Sequence, residues 1–166
     1  MNVYLIEATP FPEMLCGAAA AVCTNSKNTE SALKHAMESG HTSVLEHVCF
    51  SIAFDSVSVF TEQFVIEFRL GSYTVQSRRY VDFTNIGCYV PELPDAVSGR
   101  FSAHMQSLFE TYAKLLEMDI PKEDARFVLP YCFRSNFYCT MNARELIYMV
   151  LVMTKGRGRS EEHTSE

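Results

Sequence analysis

Positive charge is in short supply: 14 Lys and Arg stand against 20 Asp and Glu in 166 residues, a formal net charge of -6. A protein that coats a nucleic-acid polymer needs surplus cations to neutralise phosphates, so that class is excluded. Any anionic ligand must be small and met by a local basic cluster. The six cysteines, Cys16, Cys23, Cys49, Cys88, Cys132 and Cys139, form no CxxC pair and sit mostly in apolar stretches. That speaks against a zinc site or a disulfide framework and for buried thiols in a reducing compartment. No run reaches the ~18 apolar residues of a membrane span, and no basic region precedes the short apolar stretch after Met1. The expected location is the cytoplasm, with no membrane partner. His41 and His47 do not share a helix face as a zinc pair would, so no metal is expected. Internal repeats and low-complexity stretches are also missing.

What is there is enough apolar material for a core, at 48% hydrophobic residues, on a length of about one ordinary domain. Val3 to Ile6 reads as a short strand. Pro12 suits the first turn of a helix running through the small residues Gly17 to Ala21, against which another element can pack closely. Asn28 or Thr29 caps a helix that carries Leu33 and Met37 on one face and stops at Gly40, where a left-handed residue is least costly. Val48, Phe50, Ile52 and Phe54 alternate with Cys49, Ser51, Ala53 and Asp55 at the period of a half-buried strand. Phe60, Phe64 and Phe68 recur every fourth residue, which predicts a helix with Glu62 and Gln63 on its other faces. A long helix starts near Ser98 and ends before Asp119. A short one begins around Pro121 and stops by Pro130, and Ala143 to Met153 is the last periodic segment. Helices and strands mix without a βαβ repeat, so the class is α+β.

Arg69-Leu70-Gly71-Ser72-Tyr73-Thr74-Val75-Gln76-Ser77-Arg78-Arg79-Tyr80 holds three arginines and three Ser or Thr hydroxyls around a glycine break. As a loop, it suits a phosphate or carboxylate; as composition alone, it is equally a solvated basic turn. The run resembles the signature of flavin-dependent thymidylate synthases: Arg-His-Arg, two residues, Ser, four residues, Ser, one residue, Arg-Tyr. Ser72, Ser77, Arg79 and Tyr80 fall on it in register. Gly40 to His47 is similar to the family's upstream block. Ala125 to Pro130, followed by Thr140 to Leu146, is similar to its downstream pair, in the same order and with the same separations. Two positions depart, because Glu67-Phe68-Arg69 stands where the family has Arg-His-Arg. Val75 also replaces a polar residue.

The resemblance implies a single domain over residues 1–155 with a mixed or antiparallel sheet packed by helices, incomplete at its C-terminal side. It implies reductive methylation of dUMP to dTMP on bound FAD, with methylenetetrahydrofolate and NADPH as co-substrates and no protein nucleophile. An alternative is an inactive or repurposed nucleotide- or flavin-binding relative. The dUMP set it implies is Gln76, Ser77, Arg78, Arg79 and Arg126; within it Ser77 and Arg79 hold phosphate and base, and Arg78 is read as a plain surface charge. For Arg126, an ion pair with Glu123 or Asp124 is the competing reading. The FAD set it implies is His41, Ser43, Glu67, Phe68, Arg69, Val75, Asn142, Ala143, Arg144 and Tyr148, shared between the subunits of a homotetramer. Met153 falls near a uracil-facing arginine of the family. Helix 143–153 is apolar almost all round, so part of it is expected to lie uncovered. The tail 156–166 loses every apolar residue and reads as a non-native extension resembling translated adapter DNA.

Overall fold

The computed structural model describes residues 1–155; the polar tail read above as non-native lies outside them. Four strands, β1 (Asn2–Ala8), β2 (Cys49–Ser58), β3 (Gly71–Val75) and β4 (Arg134–Asn142), form one sheet in the order β1-β2-β4-β3. Every neighbouring pair is antiparallel. Six helices accompany them: α1 (Pro12–Thr24), α2 (Thr29–Glu38), α3 (Val59–Val65), α4 (Asp95–Glu117), α5 (Lys122–Ala125) and α6 (Ala143–Lys155). The α+β class stands, with a wholly antiparallel sheet. Among the described residues no helix is long and apolar enough to cross a membrane.

Local chemistry explains several boundaries. Pro12 opens α1, where a missing N–H costs nothing. Asn28 caps α2, its side-chain oxygen accepting from Ser31 N at 3.0 Å, and Gly40 ends the turn after it at φ +75°. Gly17 is a contact requirement, because a Cβ there would meet the Thr29 carbonyl oxygen at 2.9 Å. The buried face of α2 is Ala32 and Ala36, packed on Ala20 and Ala21 of α1, with Leu33 partly buried beside them. Met37 is exposed, since two helices this close have room only for methyl groups.

The sheet is covered on one face. Alternate residues of β4, Ser135, Phe137, Cys139 and Met141, point into a core with Ile52 and Phe54 of β2, Val65 of α3, Phe68, and Met149 of α6. Phe54 and Phe137 stack with centroids 4.4 Å apart. The opposite face is open, and Tyr4, Ala53, Thr74 and Asn136 help to line a groove of about 530 Å³ across it. A second core joins α4 to the segment before β4 through Phe83, Phe109, Tyr112, Ala125 and Phe133.

A bulge interrupts β2 between Phe54 and Val57, with Ser56 at φ +58°. That left-handed residue is held by Asn136 Oδ1, which accepts from Ser56 N at 2.7 Å, and by the Arg134 guanidinium donating to the Ser56 carbonyl. The bulge turns the chain into α3, whose Ser58 cap accepts from Thr61 N at 3.1 Å.

Several expectations are corrected. The run 69–80 is not all loop, since Gly71–Val75 is an edge strand; β4, one of the two inner strands, was not foreseen. Helix α3 stops at Val65, so Phe68 lies beyond it although buried. The residues that α3 buries are Val59, Thr61, Glu62 and Val65, so Glu62 points inward and not to another face. Helix α4 begins at Asp95, three residues before the expected start. All six cysteines are free, but Cys16 and Cys139 alone are buried, while Cys23 and Cys49 are exposed.

Candidate functional site

The residues singled out in the sequence gather in three groups along β4, β3 and α6. The first joins the upstream block to the start of α6. Asn142, the last residue of β4, pairs with Cys49, and the next amide, Ala143 N, donates to Val48 O at 2.8 Å. The Asn142 side chain caps α6, Oδ1 accepting from Glu145 N at 2.9 Å. Arg144 then forms an ion pair with Glu46 of the upstream block. His41 N closes the end of α2 on Ala36 O at 2.8 Å. His41 and Ser43 line a cavity of about 280 Å³ whose other walls include Ala20, Cys23, His35 and Val44. Small side chains on the crossing helices leave this space, and the imidazoles of His35 and His41 with the hydroxyls of Thr24 and Ser43 supply its polar edge.

The second group lies one helical turn further along α6. Tyr148 is four residues after Arg144 and so projects from the same helix face. Its ring meets Phe68 edge-on at 5.8 Å, and Phe68 meets Phe64 at 5.7 Å. Phe68 is therefore a core side chain, whereas Glu67, Arg69 and Tyr148 are exposed around it. Val75 is partly buried against the same core. The Tyr73 hydroxyl donates to Phe68 O at 2.6 Å. Burial, with Cys139 beside it, raises the Tyr73 phenol above its ordinary range, and burial pushes the Cys139 thiol up to about 11. Met153, at the expected place of a uracil-facing arginine, packs on this core and lines a small apolar cavity of about 140 Å³ with Met1, Val3 and Val150.

The third group is the loop after β3. Gln76 prolongs the ladder, its N–H donating to Asn136 O at 2.9 Å and its Oε1 accepting from Asn136 N at 3.2 Å. A turn follows, with Val81 N donating to Ser77 O at 3.0 Å and Arg79 N donating to Ser77 Oγ at 3.3 Å. Arg79 Nε donates to Glu123 Oε2 at 2.9 Å, and Lys122 Nζ donates to Tyr80 O at 2.9 Å. The loop is thereby laid against α5, and Arg126 follows directly as the first residue of a 3₁₀ turn, Arg126–Val128. Its guanidinium lies over its neighbour Phe127 at 5.6 Å. Glu123, weighed as a partner for Arg126, is the partner of Arg79. Arg79 and Lys122 are thus brought together between the loop and α5, with Arg126 next along the chain, cations of the kind an acidic protein needs to hold a small anion. Nearby, the side-chain and backbone hydrogen bonds from Thr84 hold the Asp82 carboxyl below its usual value.

Arg78 is not a plain surface charge. Its side chain runs inward over the Phe133 ring, 5.5 Å from the centroid, and Nη2 reaches Glu62 Oε1 at 2.5 Å. Glu62 is fully buried and the Arg78 side chain 21% exposed, whereas the Arg79–Glu123 pair is 62% and 47% exposed. Sequence reasoning missed Glu62, Lys122 and the pairing of Glu123. The signal for Glu62 was its place between Thr61 and Val65 after the Ser58 cap, a helical spacing in which two of the positions are polar.

A family profile described as "Thymidylate synthase complementing protein" matches residues 4–164. The chain is 33% identical to the flavin-dependent thymidylate synthase of Geobacter sulfurreducens, over 89% of this chain and 71% of that one. It is 36% identical to the enzyme of the same name from Nitratidesulfovibrio vulgaris, over 68% of this chain and 50% of that one. It thus spans about half the length of several curated relatives it matches. The fold is similar to that of the flavin dependent thymidylate synthase ThyX from Helicobacter pylori complexed with FAD and dUMP. The TM-score is 0.80 at 19% identity, covering 99% of this chain and 89% of that one.

Proposed function

The chain belongs to the thymidylate synthase complementing protein family, and we propose that the complete protein converts dUMP to dTMP on bound FAD, with methylenetetrahydrofolate as carbon donor and NADPH as reductant. One observation carries the reading: blocks far apart in sequence are folded into adjoining groups of the required chemistry. Glu46 of the upstream block pairs with Arg144 at the start of α6, which Asn142 caps, while Arg79 of the loop after β3 pairs with Glu123 of α5, three residues before Arg126.

The residues of the first two groups suit FAD. A cavity with small apolar walls and an edge of imidazoles and hydroxyls suits part of a dinucleotide, and Arg144, paired with Glu46 of the same upstream block, supplies a cation. His41, Ser43, Asn142, Ala143 and Arg144 would hold it, with Arg69, Val75 and Tyr148 further along the same side. FAD supplies hydride transfer when bound. The chain's own work is binding and orientation, and no side-chain nucleophile is needed. Arg79 and Ser77 would hold the phosphate of dUMP. The contact of Arg79 with Glu123 engages Nε, so the paired Nη groups serve the anion. Gln76 orients the loop through Asn136, and Arg126 closes it from the α5 side. The exposed apolar residues Ile147, Val150 and Leu151 of α6 and Leu5 and Ile6 of β1 favour assembly with further copies, which we read as a homotetramer with shared sites.

A second reading, a relative that binds nucleotide without turnover, is favoured by Phe68 and Glu67. Phe68 is a core residue and Glu67 an exposed anion where the family has cations. The two readings separate on a simple assay. The complete protein of the source gene should take up FAD, bind dUMP and form dTMP. Binding without dTMP selects the second reading, and a protein that takes up neither ligand refutes both. Arg79→Ala should weaken dUMP binding by ~1.5–3 kcal/mol with FAD uptake unchanged. Unchanged dUMP affinity by calorimetry refutes the register assigned to the loop.

A further inference from the structure

Glu62 is an anion in the wrong place for a stabilising residue. It is fully buried on a helix of seven residues, its Oε2 has no hydrogen-bond partner, and Oε1 accepts from Gln63 Nε2 at 3.0 Å and from Arg78. A buried ion pair with one oxygen unsatisfied adds little over an apolar pair of the same volume. What it does supply is direction.

Three side chains in succession, Ser77, Arg78 and Arg79, leave this loop differently. The Ser77 hydroxyl turns back on the Arg79 amide, Arg79 runs outward to α5, and Arg78 alone is inserted, between the Phe133 ring and Glu62. Phe133 is itself fixed, since its carbonyl accepts from Val59 N at 2.9 Å and its ring meets Phe83 edge-on at 5.1 Å. The other tethers lie before and after the turn: Gln76 on β4, and the exposed contacts of Arg79 and Tyr80 with α5. Between them the inserted guanidinium is the buried anchor, planar and gripped on its face and its edge.

We infer that Glu62 is a positioning residue for nucleotide binding: through Arg78 it pins the turn that presents the Ser77 hydroxyl and the Arg79 guanidinium. The inference rests on the reading of that loop as the phosphate site of dUMP. Glu62 never touches the nucleotide; it acts on where two ligating groups stand, and hydrogen bonds to phosphate fall away steeply with misplacement.

The test uses the complete protein loaded with FAD and two variants that keep volume, Glu62→Gln and the double variant Glu62→Gln/Arg78→Met. In both the charged grip is gone, but only the first retains Arg78. Each should weaken dUMP binding by roughly ten- to a hundredfold and to a similar degree. FAD content and affinity for deoxyuridine, which lacks the phosphate, should hold, a selectivity that general loosening of the fold would not produce. If Glu62→Gln binds dUMP as well as the unaltered protein while the double variant does not, Arg78 is itself a ligand and the inference is overturned. Unchanged dUMP affinity in both variants overturns it as well. Arg79→Ala serves as the control: if it weakens dUMP binding and the Glu62 variants do not, the positioning role alone fails. If Arg79→Ala also leaves dUMP binding intact, the phosphate-site reading fails and the inference falls with it.

Discussion

Adjacent arginines in one loop should differ sharply in what they contribute to stability, and the difference follows from burial alone. Arg79→Ala breaks a pair whose partners are 62% and 47% exposed. Water and salt already screen that attraction, so the cost is about 0–1 kcal/mol. Arg78→Ala removes the partner of a carboxylate with no exposed surface, leaving an uncompensated buried charge, which costs about 3–5 kcal/mol. The lost contact with the Phe133 face adds about 0.5–1 kcal/mol. Against a total stability of about 5–15 kcal/mol for a domain, the first change is barely visible and the second removes a large fraction. Urea unfolding followed by circular dichroism, with equal slopes for the two variants, measures both directly. Glu62→Gln/Arg78→Met, which deletes both charges together, should recover most of the loss. Arg78→Ala and Arg79→Ala agreeing to within about 1 kcal/mol would refute the buried pair, and with it the inward course of Arg78.

Further outcomes are expected elsewhere. Brief alkylation with iodoacetamide at neutral pH should label Cys23 and Cys49 well before Cys16 and Cys139, since the latter two are buried and burial raises their thiols; equal labelling in the native protein contradicts the packing. Cys139 keeps its proton in the folded protein up to about 11, against 9.0 ordinarily, whereas the unfolded chain releases it earlier. Its contribution is therefore intact below pH ~9 and is lost as pH rises from there toward 11, so Cys139→Ala should flatten that alkaline fall in melting temperature. Gly17→Ala should destabilise by ~1–3 kcal/mol, because the new methyl group meets a backbone carbonyl at 2.9 Å and the α1–α2 contact must open. An unchanged midpoint would show that the two helices are not so closely packed.

What the residues disclosed in advance was governed by locality. Pro12, the Asn28 cap and the Gly40 stop act within a turn of chain, and they mark α1 and α2 where they stand. The order of the motif blocks was legible too, but not the contacts between them, such as Arg144 with Glu46 and Arg79 with Glu123. Strand β4 has a clean alternation, Ser135, Phe137, Cys139 and Met141 inward against Asn136, Tyr138 and Thr140, but five of its nine residues are polar and it merges with a motif. Its inner place is a consequence of long-range pairing, which nearby residues do not encode. In the loop 76–80, sequence register nominated Ser77 and Arg79 but carried no direction for Arg78. An irregular backbone has no period, and whether a guanidinium faces water or a buried carboxylate depends on α3, sixteen positions away. Glu62 was misread for the matching reason: hydrophobic stripes locate apolar faces, and this helix buries a polar one.

The strand order β1-β2-β4-β3 also sets a timetable for synthesis. β1 and β2 can pair as soon as residue 58 leaves the ribosome, but the other edge of β2 and the whole of β3 wait for β4, the last strand made. For some eighty residues of translation, a period of several seconds at about 5–20 residues per second, Phe50, Ile52 and Phe54 have no sheet partner on that side. The nascent chain therefore carries an open, aromatic strand edge through most of its emergence, and its final sheet closes in one late step from pairs far apart in sequence. Slow codons before residue 134 would prolong that exposure, and a chaperone that masks strand edges would act in that interval.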